Sequence, residues 1–479
     1  MKAKKLFKIL AVALSAVIMT STIGCNTMDN KNVYGIDFSV SASTDGVPTY
    51  DSADKFILGA WLSPDPRPEL WQWYKESGLN EVTIFPACAE SKDYLEYALK
   101  QCKELGIDAQ ILIRNQTSRF NKSWKDLLAG YEDVVTGFDI WDEPYGYAEY
   151  GSSDTARPDF NGMLANGIPY VQQNFPGKSY TSTLWPNYAN KSQLAMPEGQ
   201  GYNDYVKLFC DKILTNVPNG TRKWIGTDFY AYYTSRFDGG LLNNLEVLQY
   251  YGGQYGADVY LYIQTQNSSQ WRAPNRQEMA LQYYTALAYG VKNLQMYCYQ
   301  MPAGGQSSGV PPVEHYAMIT DGHSKRTDEN GQTYKNPYER THMYYSVQAL
   351  NAEVTALAKA YMDFKWKGVL TSLGTVNGSR DDFSGLSYTL TSYDGVISYA
   401  STENMIIGCF EDGNGNDGFM ITNYSNPVDL KEAKVDIDFG EKTRAIVYKN
   451  GVKYVVNLID GHYKTTINGG DGHFVIPVE

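Results

Sequence analysis

The chain reads as an α/β protein, a (β/α)8 or TIM barrel followed by a C-terminal antiparallel β-sandwich. Three observations predict this. A short apolar strand, a polar or aromatic tip and a helical stretch recur eight times from residue 55 to about residue 300, the beat of parallel strands joined by crossover helices. No GxGxxG follows the first strand, which sets aside a dinucleotide-binding open sheet. After Gly368 the pattern changes to short alternating runs separated by Asp-Gly, Asn-Gly and Gly-Asn dipeptides, the punctuation of β-hairpins.

Taken in order, the first element is a leader. Lys2, Lys4, Lys5 and Lys8 precede the apolar run LAVALSAVIM, and TSTIGC follows. The run is short for a membrane span, and basic residues followed by an apolar stretch and small residues make a secretory signal. Its end resembles a bacterial lipobox, with Gly24 before Cys25, so residues 1–25 are expected to be removed up to a lipidated Cys25 that anchors the exported protein to a membrane. Residues 26–52 are polar and read as a tether.

The expected barrel covers 53–368. Its strands are KFILGAWLSP from 55, LNEVTIFPA from 79, IDAQILIRNQ from 107, VTGFDIWDEP from 135, SYTSTLWPN from 179, KWIGTDFYAYY from 223, ADVYLYIQTQN from 257 and KNLQMYCYQMP from 292. Segments such as SKDYLEYALKQCKELG and NRQEMALQYYTALAYG carry apolar residues at helical spacing, with a glycine just past the end. YERTHMYYSVQALNAEVTALAKAYMDF is the long last helix, and 369–479 form the sandwich.

Composition narrows the function. The net charge of −12 argues against a nucleic-acid binder, which needs a basic footprint. The 40 Tyr and 9 Trp suit surfaces that stack on flat partners such as sugars. Five scattered cysteines beyond Cys25 and five histidines form no disulfide framework or zinc pattern, so buried free thiols and no metal or organic cofactor are expected.

In such a barrel the site lies at the C-terminal strand ends. Those tips are Trp61, Arg114, Asn115, Asp142, Glu143, Trp185, Asn187, Asp228, Tyr230, Tyr232, Gln264, Gln266, Tyr297, Tyr299 and Gln300. Rings, amides and a few acids in that proportion suit a polyhydroxylated ligand. Tyr145, Tyr147, Tyr150, Trp185 and Tyr188 lie in the loops after the fourth and fifth strands and can shape subsites. In GFDIWDEP a carboxylic acid held among Trp and Ile is desolvated, and a neighbouring anion pushes its pKa the same way, so Glu143 can keep a proton near neutrality. Strand alternation turns Asp139 away from Asp142, as a buried acid beneath the site.

The end of this strand resembles that of clan A (β/α)8 glycoside hydrolases, including β-galactosidase-like enzymes, whose fourth strand closes in Asn-Glu-Pro or Asp-Glu-Pro. RQEMALQYYTALAYGVKNLQMYCYQMP, and TDG with QALNAEV further on, are similar as well, so the likeness spans most of 55–365. It implies a carbohydrate substrate, Glu143 as acid/base catalyst and Asp142 as a sugar-binding neighbour. GFDIWDEP also has some likeness to the strand-four signature of chitinases, although its acids are spaced differently. The chain departs from clan A at the seventh strand, where YIQTQN puts Gln264 and Gln266 in place of the nucleophilic Glu, and an amide neither attacks an anomeric carbon nor acts as a base. Three readings stay open. The second carboxylate is Asp228 or, next, Glu314; the substrate's own N-acetyl group is the nucleophile; or the protein binds glycan without cleaving it. Trp61, Arg114, Asn115, Trp185, Tyr230, Tyr232, Gln264, Gln266 and Tyr299 are the expected sugar contacts.

Overall fold

The structure, a computed structural model, describes residues 34–85, 92–113, 122–150, 157–301, 316–320, 322, 325–327, 332–335, 337–375, 382–426 and 428–479. Eight parallel strands close a barrel: β1 (Ile57–Ala60), β2 (Glu81–Ile84), β3 (Asp108–Leu112), β4 (Val135–Asp142), β5 (Ser179–Leu184), β6 (Trp224–Asp228), β7 (Asp258–Gln264) and β8 (Asn293–Tyr297). Closure runs through β1 and β8, with Ile57 opposite Asn293 and Ala60 opposite Met296. The strands are apolar on both faces because neither meets water. Leu58, Val82, Ile111, Phe138 and Leu261 pack outward under the helices, while Ile57, Trp61, Trp224, Tyr260 and Tyr262 fill the interior. The predicted glycine stops hold: Gly106 and Gly290 follow helices Lys92–Leu105 and Arg276–Ala288 with φ of 62° and 75°, the left-handed conformation that glycine adopts at least cost.

A short hairpin of β9 (Lys325–Thr327) and β10 (Thr333–Lys335) and the helix His342–Tyr361 lead to the second part. There β11 (Phe364–Ser372), β13 (Met405–Asp412), β14 (Asp417–Asn423), β19 (Gly472–Val478), β16 (Arg444–Lys449) and β17 (Val452–Asn457) form one sheet in that order. A smaller sheet of β12 (Ser398–Ser401), β15 (Ala433–Asp438) and β18 (His462–Ile467) lies against it, and Leu370, Ile407, Phe419, Val435, Val447 and Tyr463 fill the space between. The described part of the predicted tether is docked on this sandwich. Ile36 and Ala42 donate their N–H groups to the carbonyls of Lys464 and Val455, and Ile36 is only 6% exposed. Polar composition hid the few apolar residues that hold it. Cys102, Cys210, Cys298 and Cys409 are buried free thiols, while Cys25 and Cys88 lie outside the described residues.

Helix Arg276–Ala288 is buried from Glu278 to its end because it is sandwiched between β7 and the six-stranded sheet. Thr422 donates to the Tyr284 carbonyl at 3.0 Å, and Arg276 joins Glu353 and Asp471 at 2.7 and 2.9 Å. Closest contact falls at Gly408, where an added Cβ would stand 2.1 Å from the Ala288 carbonyl oxygen. Backbone meets backbone there, so Gly408→Ala is expected to lower stability by about 1–3 kcal/mol through overpacking, measured by urea unfolding.

Candidate active site

The acidic strand β4 does not run straight. Asp139 pairs with Thr181 and Trp141 with Ser182, so Ile140 is an extra residue in a bulge. Such an insertion re-aims every side chain after it. Phe138 and Ile140 are fully buried in the outer core, while the charges of both Asp139 and Asp142 bear on Tyr260 and Tyr262 inside the barrel. This corrects the alternation argument: Asp139 and Asp142 share the inner face, with Asp139 2% exposed below and Asp142 at the rim.

Glu143 follows in a left-handed conformation, φ 54°, uncommon for any residue but glycine and doubly so before a proline. Its surroundings hold it there. Glu143 N–H donates to the Thr183 carbonyl at 2.8 Å. Arg157 Nη1 donates to the Glu143 carbonyl at 2.9 Å and to Oε2 at 3.3 Å. The Arg157 guanidinium lies 4.7 Å over the Trp185 ring and 5.7 Å over that of Tyr145. Two backbone bonds zip its segment to the strand-four loop, Tyr145 N–H to Pro158 O at 3.0 Å and Phe160 N–H to Tyr145 O at 3.1 Å. Asp159 then caps helix Phe160–Ala165 through Gly162 N–H at 2.8 Å. Sequence reading passed over Arg157, because only this fold-back brings Arg157 and the residues up to Phe160 to the strand end; the Asp159 cap was its one local signal.

Asp228 ends β6, and its charge and that of Glu143 act on each other. Burial is the main cause that raises both pKa values above the ordinary carboxylate range, and Asp142 adds to it in both cases. Arg157 opposes the rise at Glu143. At Asp228 the opposing groups are its own backbone N–H and the Tyr230 hydroxyl, and Oδ1 is shielded from solvent with no hydrogen-bond partner among the described residues. Tyr188 and Tyr297 both feel Glu143 and Asp228 and are held protonated as donors. The Tyr297 ring lies 5.0 Å from that of Tyr230, which meets Trp271 edge-on at 5.3 Å. Tyr188 is 39% exposed and marks the opening. Carboxylates from two strands thus meet in one aromatic mouth.

Three expected sugar contacts have other work. Gln264 is fully buried; its Oε1 accepts from Tyr232 N–H at 2.9 Å, and its Nε2 donates to the carbonyls of Tyr232 and Arg272 at 3.1 and 2.9 Å. Tyr232 gives its hydroxyl to the Glu278 carbonyl at 3.0 Å, and Tyr299 gives its own to that of Leu70 at 2.8 Å, both fully buried. Each is architecture, because its polar atoms are spent on backbone. Trp61, 7% exposed, packs edge-on to Phe85 and Tyr262; Trp185 carries Arg157; Gln266 is 2% exposed and its Oε1 has no partner among the described residues. Arg114, Asn115 and Glu314 lie outside the described residues.

No family model and no curated protein matches the chain. Among solved structures it is similar to a glycoside hydrolase over 93% of its length and 97% of that chain, with a TM-score of 0.51 at 11% identity. A β-L-arabinopyranosidase from Geobacillus stearothermophilus aligns over 89% and 97% at a TM-score of 0.45 and 9% identity. A glucosidase from Croceicoccus marinus aligns over 89% and 96% at 0.39 and 10%. At such identities the first of these speaks for a shared fold, barrel and sandwich together.

Restoring a carboxylate at strand seven would not restore a nucleophile. In Gln264→Glu the atom that now donates to two carbonyls becomes an acceptor facing them. This exchange is expected to cost about 1–3 kcal/mol in urea unfolding for the buried groups left unpaired, with no gain in any turnover.

Proposed function

We propose that the protein is a glycoside hydrolase that cleaves O-glycosidic bonds of an oligo- or polysaccharide, with Glu143 and Asp228 as its working carboxylates. One observation carries the reading: acids from the ends of β4 and β6 act on each other's charge in a largely dry, ring-lined mouth. Hydrolysis of an acetal needs a proton donor for the leaving oxygen and a second, ionised group for the anomeric carbon or the attacking water. Two carboxylates with raised pKa values cannot easily both ionise; with Glu143 pushed up to about 8, loss of one proton from the pair leaves the other bound, the singly protonated state that the reaction requires. Tyr188, Tyr230, Tyr297 and Trp271 supply faces and hydroxyls for sugar rings. Asp142 supplies a further charge at the rim, beside the leaving-group position or a sugar hydroxyl. As an exported lipoprotein held by Cys25, the enzyme would meet its substrate outside the cytoplasm.

Turnover of an oligosaccharide panel tests this. Glu143→Gln and Asp228→Asn are each expected to lower kcat by about 10²–10⁴-fold, the usual worth of a positioned acid or base. Because raised pKa values keep the shared proton bound, activity should persist well above the ordinary 4.5 of a glutamic acid and fall only when rising pH strips that proton. Binding of glycans without any wild-type turnover would establish a noncatalytic glycan-binding protein instead. Cys25→Ala should move the protein from the membrane fraction to the soluble one; retention there would refute the lipid anchor.

A further inference from the structure

We propose that Arg157 decides which member of the pair ionises first: it favours the anion at Glu143 and leaves Asp228 as the proton donor. This rests on the hydrolase reading and reverses the roles that the strand-four motif implies.

The geometry is asymmetric. Glu143 has a guanidinium on Oε2 at 3.3 Å, and the same nitrogen is tied to the Glu143 carbonyl at 2.9 Å. Stacking on Trp185 at 4.7 Å keeps that cation from swinging away. Asp228 has no ion pair among the described residues, and its Oδ1 is dry and unpartnered. An anion is cheapest beside a fixed cation and dearest where it is desolvated among other anions. Among the described residues, the groups that bear on Glu143 from the surrounding elements are Asp142, Arg157, Asp228, Tyr188, Tyr205 and Tyr297, with Arg157 the one cation. Tyr202, Tyr230 and Tyr260 also bear on Asp228, and the charges that act on it among the described residues are the acids Glu143 and Asp142. With the guanidinium bound to Glu143, the proton is left on Asp228, the member of the pair with no ion pair among the described residues.

In the resulting step the Asp228 proton passes to the glycosidic oxygen, and the electron pair of the breaking C–O bond goes to that oxygen. The anomeric carbon receives a new pair from Glu143 directly, or from a water whose proton Glu143 takes. In the direct route the glycosyl-Glu143 ester is then opened by water, whose proton returns to Asp228; in the water route Asp228 gives up one proton and Glu143 gains one, so water is the one other reactant. Arg157 acts through Glu143 and is a positioning residue.

The test needs no substrate at first. In full-length protein labelled with ¹³C at the Glu and Asp carboxyls, with Glu143→Gln and Asp228→Asn used for assignment, Glu143 should titrate below Asp228. Arg157→Met should raise the Glu143 midpoint by about one pH unit or more, and Arg157→Lys, which keeps the charge, should retain the order. Glu143 titrating above Asp228 in the unaltered protein would overturn the proposal, as would an unmoved midpoint in a folded Arg157→Met. Kinetics give a second readout with dinitrophenyl and methyl glycosides of the common pyranoses. Asp228→Asn should keep most turnover of the dinitrophenyl leaving group, which needs no proton, and lose methyl glycosides by about 10²-fold or more. Glu143→Gln should lose both; the reverse pattern overturns the assignment. Absence of any wild-type turnover would sink the hydrolase reading alone, and the carboxyl titration would still decide where the proton sits.

Discussion

Like charges in a dry space repel, and the site turns on that constraint. Asp142, Glu143 and Asp228 bear on one another at the barrel mouth, and burial removes the water that would screen them. Such a cluster persists only if a proton is shared or a cation is brought in. Among the described residues, the fold brings a cation to Glu143. It spends a fold-back of the strand-four loop, a helix cap at Asp159 and a ring at Trp185 to bring Arg157 to Glu143. Local irregularities serve the same arrangement. The bulge at Ile140 turns Asp142 inward beside Asp139, and the left-handed turn at Glu143 lets the next carboxylate reach the rim.

Much of the architecture was legible because it is written in periodicity. Each of the eight strands lies where an apolar run ends in polar or aromatic tips, and glycines stop the helices as expected. Glu143 was legible from its setting, an acid among apolar neighbours at a strand end, and Asp228 from the same position two strands on. What stayed hidden depends on tertiary contact. A bulge leaves no mark in a hydrophobic pattern, since Ile140 is as apolar as any strand residue, and yet it reverses the facing of Asp139 relative to Asp142. Tyr232, Tyr299 and Gln264 have the chemistry of sugar contacts, and only the carbonyls they meet show that this chemistry is already used. Arg157 sits in a polar loop with nothing to set it apart until Tyr145 pairs with the segment that follows it.

Strand seven shows why, among the described residues, the acids at the mouth come from β4 and β6. The Gln264 amide ties Tyr232 to Arg272, Arg272 pairs with Glu278, and Glu278 with Asn275 caps helix Arg276–Ala288. That helix returns the favour, since Gln282 accepts the Gln264 N–H at 3.0 Å, and its far face carries the six-stranded sheet through Tyr284 and Ala288. A carboxylate at position 264 would confront two carbonyls in a space without water, so the place that clan A enzymes give their nucleophile is here a joint between the barrel and its neighbour sheet. An uncharged amide, donor and acceptor at once, is the side chain that the joint requires. With that tip committed to structure, the described acids left at the mouth belong to β4 and β6, and the difference between them reduces to which one Arg157 touches.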